Sequence, residues 1–405
     1  MNPRVAAGQA IRCAGPAVLS DALQASRRDT LDRFLGWERA LADGALAVPR
    51  RADLNPPLWE LGHIGWFQEF WVARNPQRER GAAAEPDAPR GPSLRANADA
   101  LFDSSNVAHD SRWSLPLPGP DAARSELAAQ LETTQELLRG AGSDDDALYF
   151  FRLALLHEDM HHEAALYMAQ SLGLPLDEGR WRPAPMSGAR HLLELDAGRE
   201  RLGSSGDGFA FDNELQSHEV ELSAFAIDSQ AVGWEEFLPF VEDGGYTQPR
   251  WWSEPGQRWL LAERPIAPRY LRREGAAWQQ CCFDRWLPLD GRLPACHLNR
   301  FEAEAWCAWA GRRLPTEGEW EHAALTRPAD FAWGAVWEWT RSAFGPYPGF
   351  AAHPYRDYSA PWFGTRAVLR GASFATQGRM HHVRYRNFFT PERRDIFAGF
   401  RSCRV

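Results

Sequence analysis

Apolar positions recur at helical spacing through the first 175 or so residues and lose that period afterwards. Four amphipathic stretches carry the pattern. LSDALQASRRDTLDRFLGWERAL predicts a helix from about Ser20, a suitable N-cap. WELGHIGWFQEFWVAR (59–74) follows Pro56-Pro57 and places His63, Phe67 and Phe70 on one face. Asp121–Gly140 is the third helix, and FRLALLHEDMHHEAALYMAQSL (151–172) the fourth. Residues 75–95, rich in Pro, Gly, Arg and Ala, read as one long connection, so the four helices describe a bundle. Residues 1–17 are small, polar and proline-containing, and are expected to fray.

Beyond Gly173 the texture changes. Short strand-like runs such as HEVELSAFAIDS (218–229) and RAVLRGASFA (366–375) alternate with turns, and two short helices are expected near Val232–Glu242 and Arg300–Gly311. The boundary is expected near 175–190, giving a helical domain over 18–178 and an irregular α+β domain over 190–405. Long ordered loops of that kind usually carry function. No internal repeat is visible.

Composition narrows the classes. The net charge is −9 without a basic run, which argues against a nucleic-acid partner. No apolar run reaches membrane length and no secretory leader pattern opens the chain, so a cytoplasmic protein without membrane contact is expected. None of the six Cys has C-x-x-C spacing, which reads as free thiols in a reducing compartment. The 19 Trp supply core and, for cationic ligands, aromatic walls.

The fourth helix holds the candidate chemistry. His157 and His161 are i and i+4 on one face, half of a first-row metal site. His63, on the aromatic face of another bundle helix, is the natural third ligand. Three neutral imidazoles with open positions suit Zn²⁺, Fe²⁺ or similar ions. His162 lies about 100° further round and is not counted. H-E-x-x-H also matches a zincin protease, with Glu158 as base, but no third-ligand continuation follows.

These residues carry a resemblance. WELGHIGWFQEFW and H-E-x-x-H resemble the DinB-like bundle of the ergothioneine-synthase type sulfoxide synthases. DNELQSHEVELSAFAI (212–227), FEAEAWCAWAGRRLPTEGEWEHAA (301–324), VWEWTRSAF (336–344), YPGF (347–350), VLRGASFAT (368–376) and RNFFTPERRDIFAGFR (386–401) resemble the formylglycine-generating-enzyme domain, a C-type-lectin-like fold. The resemblance implies an N-terminal DinB-like four-helix bundle followed by that α+β domain. It implies non-haem Fe(II) on His63, His157 and His161, and the O₂-dependent joining of a sulfur donor to C2 of the hercynine imidazole. Tyr355 matches the tyrosine near the metal that supplies a proton, and Asn387 and Phe388 match positions that touch hercynine.

The chain departs from the γ-glutamylcysteine-using branch at the donor end. His109 stands where that branch has an Arg, Phe389 where it has an Asp, and Met160 where it has a Gln; Arg112 and Arg393 are kept. Loss of the charged clamp implies a different donor. The pattern resembles the selenoneine-synthase branch, which joins hercynine to 1-seleno-N-acetylglucosamine and forms a C–Se bond. On that reading His109, Asp110 and Arg112 offer hydrogen bonds to a selenosugar, and Phe389 a ring face. The alternatives are a sulfoxide synthase with another thiol donor, a DinB-like metal-dependent thiol transferase, a ligand-binding module without turnover, and formylglycine generation by a cysteine pair such as Cys281-Cys282.

Overall fold

The structure, a computed structural model, describes residues 3–176 and 182–405. Its helical half contains α1 (Pro3–Arg12), α2 (Pro16–Ala40), α3 (Pro57–Gln68), α4 (Ala98–Phe102), α5 (Pro120–Arg139) and α6 (Asp145–Leu172). Proline in the first turn starts α2, α3 and α5, where its missing N–H costs no hydrogen bond. α6 starts on Asp144, whose carboxylate accepts from Ala147 N at 2.9 Å, and stops at Gly173 with φ 65°. Six residues after His63, α3 loosens into a π-turn at Glu69–Ala73.

The expected bundle is present: α2, α3, α5 and α6 pack on one another. The N-terminal segment does not fray as expected. α1 folds back on the C-terminal half, and buried Arg12 meets Glu214 through Nη1 at 2.5 Å and Nη2 at 2.9 Å. A segment without apolar periodicity is thus fixed by a buried ion pair. The expected boundary near 175–190 falls partly on residues 177–181, outside the described residues.

The C-terminal half pairs strands that are far apart in sequence. One four-stranded sheet orders Leu192–Leu195, Phe225–Asp228, Cys403–Arg404 and Arg312–Arg313; the other orders Asn387–Phe389, Ala367–Gly371, Trp337–Ala343 and Ala398–Gly399. Four helices flank them: α7 (Trp234–Glu242), α8 (Glu254–Glu263), α9 (Arg300–Trp309) and α10 (Glu317–Thr326). Three arginines are buried against glutamates: Arg370 on Glu321, Arg386 Nε on Glu317 at 2.8 Å and Arg401 Nη2 on Glu338 at 2.7 Å.

The two halves meet along α6. Its Asp159 accepts from Arg379 at 2.7 Å, His162 Nδ1 lies 3.0 Å from Gln377 Nε2, and Glu163 accepts from Ser373 Oγ at 2.6 Å and Trp337 Nε1 at 2.9 Å. Among the described residues no helix is long and apolar enough to cross a membrane.

Candidate metal centre and adjoining cavity

α3 and α6 bring His63, His157 and His161 together, with one ligand nitrogen of each within 4.8 Å of the others. The ring centroids are 5.1, 5.1 and 4.6 Å apart, and the Nε2 atoms of His157 and His161 are 3.4 Å apart. That separation is close to the edge of a tetrahedron whose metal–nitrogen bonds are about 2.0–2.1 Å.

The outer nitrogens are partly committed. His63 Nδ1 faces the Phe102 carbonyl at 2.8 Å, and His161 Nδ1 faces Glu60 Oε2 at 2.6 Å. Each contact favours a proton on Nδ1 and leaves the Nε2 lone pair directed inward. Burial pushes His63 down to about 3 and His157 well below the usual imidazole range, with His161 nearby adding to both effects. His63 and His157 are therefore neutral at pH 7 and need lose no proton to bind a cation. Donor type, inward lone pairs and spacing fit a divalent first-row metal.

Glu60 is held in turn. Its Oε1 accepts from Asn55 Nδ2 at 2.6 Å, and Asn55 Oδ1 accepts from Arg112 Nη1 at 2.8 Å. Arg112 lies over the Trp59 ring, 3.7 Å from its centroid. Burial alone would raise the Glu60 carboxyl; His161, followed by His63, outweighs burial and holds it low. Phe67 stacks flat on His157 at 3.5 Å and meets Tyr355 edge-on at 5.0 Å. The Tyr355 hydroxyl has no hydrogen-bond partner among the described residues.

A cavity of about 190 Å³ adjoins His161 where α6 meets the C-terminal half. Met160, Tyr167, Trp337, Tyr385, Asn387 and Phe389 line it. Arg393 stands behind, bound to Asp395 at 2.6 Å and 5.0 Å from the Phe389 ring centroid. The structure thus gathers Met160, Asn387 and Phe389 beside His161, with Arg393 behind Phe389.

Three other expected positions are elsewhere. Phe388 is the middle residue of its strand, so its side chain leaves the face shared by Asn387 and Phe389. It stacks on Phe344 at 4.0 Å and does not line the cavity. His109 Nε2 faces the Leu54 carbonyl at 2.9 Å, and Arg112 is the strut described above. Neither lines the cavity with Phe389, so the structure does not bring His109, Arg112 and Phe389 to one cavity.

Other readings lose their geometry. Glu158 is buried and paired with Arg27 Nε at 2.9 Å and Thr30 Oγ1 at 2.6 Å, so it is no free base for a zincin. Cys281 and Cys282 are neighbours on one strand and point to opposite faces, and burial raises both thiols.

Sequence reasoning missed Glu60, although the signal was present: it lies three residues before His63 on the same helix face. Tyr167, Trp337, Met380 and Tyr385 were missed because only the tertiary fold brings them to the cavity.

The comparisons agree with this architecture. Residues 22–165 match the DinB superfamily, and residues 180–335 and 329–405 match the sulfatase-modifying factor enzyme 1-like domain. A hercynine oxygenase of Mycolicibacterium smegmatis is 30% identical, over 95% of this chain and 97% of that protein. The hercynine oxygenase of Mycobacterium tuberculosis is 33% identical, over 86% of this chain and 90% of that protein. A formylglycine-generating enzyme of Streptomyces coelicolor is 27% identical, over 53% of this chain and 89% of that protein. The chain belongs to the ergothioneine-related, sulfoxide-synthase-like family, with a DinB-like helical region before a formylglycine-generating-enzyme-like domain.

Proposed function

We propose that the protein is an O₂-dependent, non-haem iron enzyme that joins C2 of the hercynine imidazole to the selenium of a selenosugar. The observation that carries the reading is the three-histidine cluster, whose His161 lines the Asn387–Phe389 cavity, in a chain similar along nearly its full length to hercynine oxygenases. Fe(II) held by His63, His157 and His161 would supply a Lewis acid and the one-electron chemistry that O₂ requires.

The other roles belong to side chains. Asn387 Oδ1 accepts from Phe388 N at 2.9 Å, which turns the amide so that Nδ2 remains to donate to the hercynine carboxylate. The trimethylammonium has no N–H, so the rings of Trp337, Tyr385 and Phe389 are its natural surroundings. Tyr355 Oη, unpartnered and close to the Phe67–His157 stack, holds the proton delivered during bond formation. Burial raises its phenol, so it stays protonated at neutral pH.

Phe389 supports the selenosugar reading: the cavity position that carries a carboxylate in the peptide-using branch is an aromatic ring here. The sulfur reading draws support from the hercynine oxygenase relatives. The deciding experiment incubates Fe(II)-loaded protein aerobically with hercynine and, at equal concentration, 1-seleno-N-acetylglucosamine, its thio analogue and γ-glutamylcysteine. The expected product mass is hercynine joined to the selenosugar. A product carrying mainly the γ-glutamylcysteine sulfur overturns the selenium reading. Turnover without O₂ would instead favour a thiol transferase.

A further inference from the structure

A void of about 40 Å³ remains inside the bundle where α2, α3 and α6 face one another. Phe34, Trp37, Leu61, Ile64, Ala165 and Met168, three residues apart on each helix, form most of its wall. Trp37 and Met168 belong to one cluster of core side chains and Phe34, Leu61 and Ile64 to another, and the void lies where the two fail to close. Cores are ordinarily packed to the density of organic crystals, so an opening at this place is a departure. His161 stands in the same wall, as does Glu60, whose Oε2 faces His161 Nδ1 at 2.6 Å. His161 also lines the Asn387–Phe389 cavity, so one imidazole separates the two spaces.

The wall selects an occupant by size and polarity. Its polar side chains are turned to partners of their own. Glu60 is shared between His161 and Asn55 Nδ2, the latter at 2.6 Å, and Thr30 Oγ1 donates to Glu158 Oε1 at 2.6 Å. The ring nitrogens of His162 face Thr30 Oγ1 at 2.8 Å and Gln377 Nε2 at 3.0 Å, and Arg33 Nη1 donates to the Asp29 carbonyl at 2.9 Å. Trp37 Nε1 is buried without an acceptor among the described residues, but a trapped water needs two to four polar partners. A void lined in this way stays dry and takes up small apolar solutes such as xenon. It has room for roughly three water-sized spheres, enough for a diatomic gas and far too little for hercynine or a sugar. Dioxygen is apolar and gains by leaving water for such a wall.

We propose that this void holds dioxygen beside His161 and feeds it to the metal position from the bundle side. The proposal rests on the O₂-dependent function argued above and gives the gas a place apart from the organic substrates. Hercynine bound beside Asn387 and Phe389 fills the space on one side of His161 and leaves the other side clear. Dioxygen passes the edge of the His161 ring while that cavity is occupied, so the gas can arrive last. The wall contributes only shape and apolar surface, and none of its groups reacts.

Xenon is the probe for the void. Crystals of the full-length protein pressurised with xenon should show the atom between Phe34, Ile64 and Met168. Crystals of Ala165→Leu, whose larger side chain fills the void, should not. Ala165 lies one turn beyond His161 and does not line the Asn387–Phe389 cavity. In the iron-loaded enzyme, Ala165→Leu and Leu61→Phe should each raise KM for O₂ about fivefold, read with an oxygen electrode. KM for hercynine, kcat at saturating O₂, iron stoichiometry and the visible spectrum of the Co²⁺-substituted site should stay near those of the parent. A water in the void in place of xenon overturns the proposal, as does a KM for O₂ within twofold of the parent in both variants. A raised KM for O₂ that comes with lost iron or an altered Co²⁺ spectrum in both variants overturns it too, because the effect then belongs to the His161 ligand. A parent enzyme that turns hercynine over without consuming O₂ brings down the O₂-dependent function and this site with it. A parent that consumes O₂, with variants that match it, refutes the void alone.

Discussion

At the scale of single residues, the candidate metal centre divides side chains that could hold an ion from those that would aim them. Replacing His63, His157 or His161 with Ala should abolish binding of about one Fe(II) per chain, measured by metal analysis after gel filtration. Glu60 acts through His161: its carboxylate fixes the ring and favours the tautomer with Nε2 inward. Glu60→Gln should weaken metal affinity by roughly 10–100-fold and alter the visible spectrum of a Co²⁺-substituted site. Unchanged affinity and spectrum would show that the 2.6 Å contact does not tune the ligand. Tyr355→Phe should leave both KM values within about twofold and lower kcat, because in its proposed role the phenol would act after substrates are in place. The clustering of the three histidines was legible because i, i+4 spacing maps directly onto a helix face. The fates of His109, Arg112 and Phe388 were not, since each depends on a partner supplied by the tertiary fold: the Leu54 carbonyl, Asn55 and Phe344.

Elements show a similar division. The four bundle helices, α7 and α9 were readable because their apolar period is local, and the structure moves their ends by only a few residues, apart from α6, which begins six residues earlier at Asp145; α1, α4, α8 and α10 were not expected from the sequence. The sheets were not, because Phe225–Asp228 pairs with Leu192–Leu195 on one side and Cys403 on the other, a separation that no window along the sequence can span. Several motifs that carried the family resemblance prove to mark the fold. Arg370 of VLRG, Arg386 of RNFF and Arg401 of AGFR are buried in ion pairs with Glu321, Glu317 and Glu338. α1 depends on a pair of the same kind. Arg12→Ala would leave Glu214 charged and buried, at a cost of about 3–5 kcal/mol. Urea unfolding should register that loss as a lower midpoint with little change in slope. A midpoint within error of the parent would mean that α1 is not anchored through this pair.

For the whole molecule, the same burial that prepares the metal ligands sets its response to acid. His63 and His297 are pushed down to about 3 and His353 to about 4, and His157, His162 and His382 lie well below the usual range, in each case chiefly through burial. In the unfolded chain these rings take up protons near pH 6.5, whereas in the fold they remain neutral. The unfolded state therefore binds more protons below that pH. Stability is fully present above about 6.5 and falls as pH drops toward 4, with each such ring contributing a slope of up to about 1.4 kcal/mol per pH unit. Urea midpoints of the metal-free protein should accordingly fall between pH 7.5 and 5. Fe(II) binds the neutral imidazoles of the folded state, so the loaded protein should lie above the metal-free one at pH 7.5. His382→Asn tests the origin of the slope away from the metal: His382 Nε2 meets Gln9 Oε1 at 2.9 Å, outside the ligand cluster. The variant should flatten the metal-free slope by about one proton's worth while leaving iron stoichiometry unchanged. A metal-free midpoint that stays level from pH 7.5 to 5 would mean that these rings take up protons within the fold, and the neutrality assigned to His63 and His157 would fail with it.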